Sequence, residues 1–119
     1  MQNNVELTPV VVEAIRNKKG NKITTIDFAG IEGASTGGFV ICQGRSTSQV
    51  SAIADEIREF VFKQTGRKPY NYDGYKNSQW IVIDYGDLMI HIFLPDVREF
   101  YNLEDLWSDG KTVELEDIE

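Results

Sequence analysis

Apolar and polar residues follow two different periods along this chain, and each period predicts a kind of element. The clearest helical spacing lies between residues 50 and 61, where the apolar positions are Val50, Ile53, Ala54, Ile57 and Val61. Residues at i, i+3, i+4 and i+7 share one face of a helix, so this segment predicts an amphipathic helix. Ser46 with Gln49 offers a capping box at its start, and Gly66 a stop at its end.

A second, shorter helix is predicted near the amino terminus. Thr8 can cap it with Pro9 at the first helical position, and apolar residues follow from Val10 to Ile15. Gly20 follows two lysines and is a suitable terminator for this helix.

Strands are predicted where β-branched or fully apolar runs are bounded by turn residues. The candidates are "KITTIDF", "FVICQ", a short strand near "YNY", and the pair "QWIVIDY" and "LMIHIFL" joined by a turn at Gly86 and Asp87. Asp96 and Glu99 form a capping pair that would open one helix over "VREFYNLEDLW". Strands and helices in this order predict an α/β fold: a single small domain with a mixed β-sheet and helices packed on it.

The two-residue turn fixes the register of this hairpin and sorts its side chains onto two faces. One face is almost wholly apolar and is predicted to lie against helices: Ile81, Ile83, Tyr85, Leu88, Ile90 and Ile92. The other face mixes aromatic, apolar and polar residues: Trp80, Val82, Asp84, Met89, His91 and Phe93.

The mixed face has two interpretations. Trp80 and Phe93 beside the flexible Met89, with a carboxylate diagonal to the imidazole, match the composition of surfaces that bind other proteins. In the alternative, the sheet is buried on both faces, the two aromatic residues are core, and His91 hydrogen-bonds to Asp84 or to backbone.

Composition and charge narrow the classes of function. The chain has 119 residues, 41% of them apolar, which fits one globular domain, and it has neither an apolar run long enough to cross a membrane nor a secretory signal. We therefore expect a cytoplasmic protein. The net charge of −7 comes mostly from the end of the chain, because residues 104–119 hold seven acidic residues and one basic residue. Residues 108–119 are predicted to be an acidic tail, more simply a frayed terminus than a segment that engages a basic partner. Without a large basic face, nucleic acid is not expected as the main direct contact.

Catalytic and metal chemistry find weak support in the residues. His91 is the one histidine, so neither a metal centre nor a serine nucleophile with a histidine base has a full set of groups. The glycine-containing loop "QGRSTSQ" could hold a phosphate, with Ser46, Asp84 and Asp87 serving a nucleotide-binding or nucleotidyltransferase-like enzyme. Helix capping by Ser46 explains the same loop without a ligand. Cys42 in "FVIC" is expected to be a small buried hydrophobe.

Three ordered segments resemble the ribosomal silencing factor family, also called Iojap-type proteins. They are "GFVICQGRSTSQVSAIADEI", "GRKP" and "WIVIDYGDLMIHIFLPDVREFYNLEDLW", and the resemblance extends from about Leu7 to Trp107 within a domain assigned to residues 1–107. The resemblance implies a small α/β fold similar to nucleotidyltransferases but without their catalytic residues. It also implies a non-enzymatic translational repressor without cofactor or metal, which binds the large ribosomal subunit through ribosomal protein fourteen and blocks subunit joining. Homodimers are implied as well.

The matching positions include much of the mixed face of the hairpin. They are Trp80, Asp84, Tyr85, Gly86, Asp87, His91, Arg98, Tyr101 and Trp107. We therefore expect the partner to contact Trp80, Val82, Asp84, Met89, His91 and Phe93, together with Arg98, which pairs with a carboxylate of this chain or of the partner. The chain departs from the family at Gly37 and Gly38, where relatives commonly have an Asp-Tyr pair, so any contact made by those two side chains is not expected here.

Overall fold

The computed structural model describes residues 4–34 and 36–117, with side chains from residue 7 onward. These residues form six strands and four helical segments. In chain order they are α1 (Asn4–Asn17), β1 (Asn21–Asp27), β2 (Gly38–Gln43), α2 (Thr47–Thr65), β3 (Asn71–Asp73), β4 (Trp80–Asp84), β5 (Met89–Phe93), α3 (Pro95–Tyr101), α4 (Leu103–Leu106) and β6 (Lys111–Glu114).

The six strands build one mixed sheet in the order β3-β4-β5-β2-β1-β6. The central pair, β2 and β5, is parallel, while every other neighbouring pair is antiparallel. The predicted fold class, a small α/β domain with a mixed sheet and packed helices, is confirmed. None of the described helices combines the length and apolar character that a membrane crossing requires.

The helix α2 forms as its sequence pattern predicts. Its buried residues are Val50, Ile53, Ala54, Ile57 and Val61, the five positions at helical spacing. The Ser46 hydroxyl accepts a hydrogen bond from the backbone N–H of Gln49, and Gly66 closes the helix at a positive φ of 77°. Only half of the capping box is present, because the Gln49 side chain accepts from Arg45 N–H and donates to Lys18 and Lys19 carbonyls of the α1 end.

The start of α1 differs from the prediction. The helix begins at Asn4, so Thr8 is not its cap and Pro9 lies inside it. Leu7 is 1% exposed in the core formed by α1, α2 and the sheet, so this additional turn buries an apolar side chain. The helix ends before Gly20 as expected, with Lys19 in the left-handed conformation.

The carboxyl-terminal segment is also ordered differently from the prediction. Residues 111–114 form the edge strand β6, which pairs antiparallel with β1, and Leu115 N–H continues the ladder to the Ile23 carbonyl. Arg16 donates to the Glu116 carbonyl, and the Asp117 carboxylate accepts from Lys22 N–H. The expected frayed tail is therefore wrong for residues 111–117, which complete the sheet.

Helices cover both faces of this sheet. On one face, α1 and α2 bury the predicted core side of the hairpin, and Ile81, Ile83, Ile90 and Ile92 are each fully buried. On the other face, α3, α4 and the loop before β2 cover a second cluster that includes Ile26, Phe28, Phe39, Ile41 and Phe93. This second layer determines which part of the mixed face stays accessible.

Candidate functional site

The hairpin has the register that its turn predicts. Trp80 pairs with Phe93, Val82 with His91 and Asp84 with Met89, and Gly86 in the turn has a φ of 88°. The two predicted faces are therefore real. The positive φ is the reason that the turn favours glycine; a side chain at Gly86 would also meet the Tyr70 ring at 2.5 Å, but that ring is 82% exposed and can move aside.

The mixed face divides into a sealed part and an open part. Phe93 is 0% exposed and His91 4%, whereas Trp80, Val82, Asp84 and Met89 are half-buried. The expectation that Phe93 and His91 are themselves accessible to a partner is therefore wrong. Each of the two interpretations of this face holds for part of it, because α3 and α4 cover the β5 end and leave the β4 side open.

Aromatic contacts explain why the sealed part is buried. Trp107, which follows α4, lies 5.2 Å from Phe28 and 6.0 Å from Phe39 between ring centroids. Phe39 in turn meets the His91 ring edge-on at 4.4 Å. Such ring pairs stabilise the packing by more than the burial of their apolar area alone. They help to hold the segment that contains α3, α4 and Trp107 against this half of the sheet.

Trp80 stands at the boundary between the two parts. Its indole stacks on Phe93 at 5.0 Å and lies 4.7 Å from the Tyr101 ring. The indole N–H donates to Nδ1 of His91 at 3.1 Å. Asp84 is not the partner of His91, because its carboxylate accepts from Gly86 N–H in the turn at 2.8 Å.

Two aromatic residues that the sequence reasoning did not assign to the site extend the open part. Phe100 is 80% exposed and Tyr101 49%, and their rings are 5.1 Å apart. With Trp80 they line a cleft of about 600 Å³, flanked by Asp73 and Asp96. The segment "REFY" contained a signal for this exposure. Adjacent helical residues point about 100° apart, so a short helix cannot pack the rings of both Phe100 and Tyr101 against the same sheet.

We call this accessible set the hairpin surface. Its members are Trp80, Val82, Asp84, Met89, Phe100 and Tyr101. Aromatic residues and methionine are enriched in surfaces that bind proteins. The arrangement suits contact with a macromolecule.

Arg98 lies apart from the hairpin surface, and its guanidinium group binds other residues of this chain. Its guanidinium pairs with the Glu104 carboxylate at 2.7 Å and donates to the Thr24 hydroxyl and the Lys22 carbonyl. The carboxylate partner that the sequence left open is therefore Glu104 of this chain. With a side chain only 11% exposed, Arg98 ties α3 and α4 to β1.

The residues of the enzymatic alternative are each engaged in local structure. Asp87 accepts two hydrogen bonds from the Arg67 guanidinium, at 2.9 and 3.1 Å, and these bonds lower the pKa of its carboxyl group. Ser46 caps α2, and Asp84 closes the hairpin turn. Within residues 4–34 and 36–117, no group of three or more His, Cys, Asp or Glu residues is placed to hold a metal ion.

Burial sets the protonation of two further groups. Cys42 is 0% exposed, as predicted for a small buried hydrophobe, and burial raises the pKa of its thiol to about 12. Burial lowers the pKa of His91 to about 4, so the imidazole is neutral at physiological pH.

The departure at Gly37 and Gly38 falls beside the hairpin turn. Gly37 donates to the Asp87 carbonyl and accepts from Phe28 N–H, and Gly38 opens β2 opposite Asp27. The two glycines therefore join the loop before β2 to the turn through backbone alone.

The fold is that of a small α/β domain with a mixed sheet, and one part of it leaves aromatic side chains exposed. The profile described as "Ribosomal silencing factor during starvation" matches residues 1–119. A curated relative from Halalkalibacterium halodurans, "Ribosomal silencing factor RsfS", is 39% identical over 97% of each chain. The Arabidopsis thaliana "Protein Iojap, chloroplastic" is 42% identical over 65% of this chain and 32% of its own. A Chromobacterium violaceum crystal structure aligns over 91% of this chain and 88% of its own, at a TM-score of 0.82 and 28% identity.

The chain belongs to the ribosomal silencing factor family. The resemblance inferred from the sequence is thereby confirmed. Membership implies ribosome-associated regulation of translation, and the family is one of regulatory factors.

Proposed function

We propose that this protein binds the large ribosomal subunit through ribosomal protein fourteen and prevents the small subunit from joining. It acts in the cytoplasm and without catalysis. The hairpin surface is the docking site, with Trp80 as its central anchor and with Phe100 and Tyr101 enlarging the apolar contact. His91 and Phe93 support this surface from beneath.

The observation that carries the proposal is the exposed aromatic cleft at the edge of the sealed sheet. Three rings, of Trp80, Phe100 and Tyr101, meet there, and the outermost is 80% exposed. Aromatic anchors in such clefts supply most of the free energy of many protein interfaces. The family relationship directs the choice of partner to the ribosome.

Steric exclusion is sufficient for inhibition. The Cα atoms of the protein span 36 × 33 × 28 Å, so a bound copy on the joining face occupies space that the small subunit would need. No bond has to be made or broken, in agreement with the local structural roles of Ser46, Asp84 and Asp87.

Two alanine variants test the surface. Trp80→Ala should weaken binding to large subunits by about 2 to 4 kcal/mol, because a central aromatic anchor is lost. Phe100→Ala should weaken binding more mildly and leave stability unchanged, since this ring is mostly exposed. Co-sedimentation with large subunits and binding to isolated ribosomal protein fourteen measure affinity, and light scattering on mixing the subunits measures joining.

Phe62→Ala is the matched control, because Phe62 is 48% exposed on α2, which packs on the opposite face of the sheet. It should bind like the wild type. Wild-type affinity in folded Trp80→Ala and Phe100→Ala variants would show that the partner docks elsewhere.

The homodimer implied by the family resemblance is the competing occupant of the hairpin surface. In that case sedimentation equilibrium of the free protein shows a dimer that Phe100→Ala weakens and that large subunits dissociate.

A further inference from the structure

One polar side chain lies inside the aromatic cluster that supports the hairpin surface. His91 is 4% exposed and is surrounded by the rings of Phe39, Phe93 and Trp80. Burying a polar group among apolar rings costs free energy unless the group makes a compensating hydrogen bond. An apolar residue of similar size would fill this space without that cost.

That hydrogen bond runs to Trp80. The indole N–H lies 3.1 Å from Nδ1 of His91, and because an indole can only donate, Nδ1 is the acceptor. The neutral imidazole then carries its proton on Nε2, which has no hydrogen-bond partner among the described residues. The bond from the Trp80 indole is thus the hydrogen bond that the His91 side chain makes within the part of the chain that the structure describes.

This contact determines which edge of the indole reaches the surface. The N–H edge of Trp80 is directed into the domain toward His91, while Phe93 stacks on the ring at 5.0 Å. Stacking alone is compatible with more than one rotamer of the Trp80 side chain, whereas a directional hydrogen bond selects one. The accessible part of Trp80 is therefore hydrocarbon, and a partner need not supply a hydrogen-bond acceptor to bury it.

We propose that His91 is a positioning residue for partner binding, which holds the Trp80 indole with its apolar edge toward the partner. This role rests on the function proposed above. The sequence pattern predicts that His91 contacts the partner directly. In this proposal His91 instead affects partner binding through the orientation of Trp80.

Two substitutions of His91 distinguish its role in orienting Trp80 from its role in filling space in the core. His91→Phe keeps a ring of similar size but removes the acceptor, whereas His91→Asn places its Oδ1 where Nδ1 was and so retains an acceptor. In the free protein, the exchange of the Trp80 indole N–H with solvent is measured by ¹H–¹⁵N NMR, with the Trp107 indole as internal reference. His91→Phe should speed exchange at Trp80 about tenfold and leave Trp107 unchanged, and His91→Asn should restore protection.

Binding to large subunits gives the second measurement. His91→Phe should weaken binding by up to about tenfold, the equivalent of one hydrogen bond, and His91→Asn should bind more tightly than His91→Phe. In a Trp80→Phe background, which lacks the donor, His91→Phe should cause no further loss.

The inference is overturned if His91→Phe binds like the wild type, or if it weakens binding equally in the presence and absence of the Trp80 donor. Failure of the wild-type protein itself to bind large subunits would instead overturn the proposed function together with this role. In that event the NMR measurement still shows whether His91 holds the indole.

Discussion

His91 shows how the surroundings of a single residue give it a role that its type does not reveal. The same imidazole could ligate a metal, take a proton in catalysis or form part of an exposed surface. Burial among the rings of Phe39, Trp80 and Phe93 excludes it from direct contact, keeps it neutral and leaves it as an acceptor for Trp80. Its protonation is consequently coupled to folding.

Acid should destabilise the protein through this residue. Burial lowers the pKa of His91 from 6.5 to about 4, so between these values the unfolded chain binds a proton that the native protein does not. The contribution of His91 to the free energy of unfolding is therefore fully present above pH 6.5 and is lost as the pH falls toward 4. Between pH 7 and pH 5, this group alone should remove about 2 kcal/mol from the free energy of unfolding.

Urea unfolding at the two pH values, compared between the wild type and His91→Asn, isolates this contribution from that of the carboxylates. The variant should lose less stability on acidification. An equal loss in both proteins would mean that His91 does not titrate as its burial requires.

Local sequence gave the hairpin register correctly but not the exposure of each side chain in it. The turn at Gly86 and the alternation of residues fix which side chains share a face, and both lie within a few residues of one another. Whether Phe93 is covered depends on Val97, Leu103 and Trp107, which return over the sheet from later in the chain. The alternation of residues within the hairpin carries no information about whether segments outside the hairpin will pack over it.

Asn102 explains why the single helix predicted over "VREFYNLEDLW" is two helices. Its backbone lies in the left-handed region, with φ 49° and ψ 56°, so it ends α3 and allows α4 to start in a new direction. The Asp96 cap predicted for the longer helix is wrong as well, because Leu94 occupies the cap position and Pro95 opens α3. Asparagine tolerates this conformation better than most residues, but it does not require it, so the sequence did not reveal the break.

Substitutions at Asn102 should follow backbone preference. Asn102→Gly should leave stability within about 0.5 kcal/mol of the wild type, since glycine adopts a positive φ without strain. Asn102→Val should destabilise by about 1 to 2 kcal/mol, because a β-branched residue is strained there.

Thermal and urea unfolding measure both effects, and Asp105→Val, at an exposed right-handed position of α4, is the control for valine itself. If Asn102→Val were no less stable than Asp105→Val, the left-handed turn would not be a constraint on this segment.

The acidic segment that follows α4 forms part of the sheet. The charge count suggested a solvated tail, yet β6 protects the edge of β1, and its pairing joins residues far apart in the chain, such as Thr24 with Glu114. Exposed strand edges promote association between molecules, and charged side chains on an edge strand oppose it. The exposed Lys111 and Glu114 of β6 fit this second role.

Ending the chain after Gly110 should lower the free energy of unfolding and cause association that increases with concentration, because the edge of β1 is left open. Urea unfolding and sedimentation velocity measure the two consequences. The double variant Glu114→Gln with Glu116→Gln is the control, since it removes charge while keeping the backbone of β6.

The control should associate no more than the full chain under conditions in which the shortened chain does. A shortened chain as stable and as dispersed as the full one would show that β6 contributes nothing to the sheet.

The pairing of β6 with β1 also bears on how the molecule is made. Synthesis delivers the amino terminus first, so β1 emerges long before the segment that must lie beside it. A nascent chain therefore keeps one flank of its sheet unfinished until residues 111–114 have left the ribosome. A member of a ribosome-associated family thus cannot complete its own sheet while a ribosome still holds that strand.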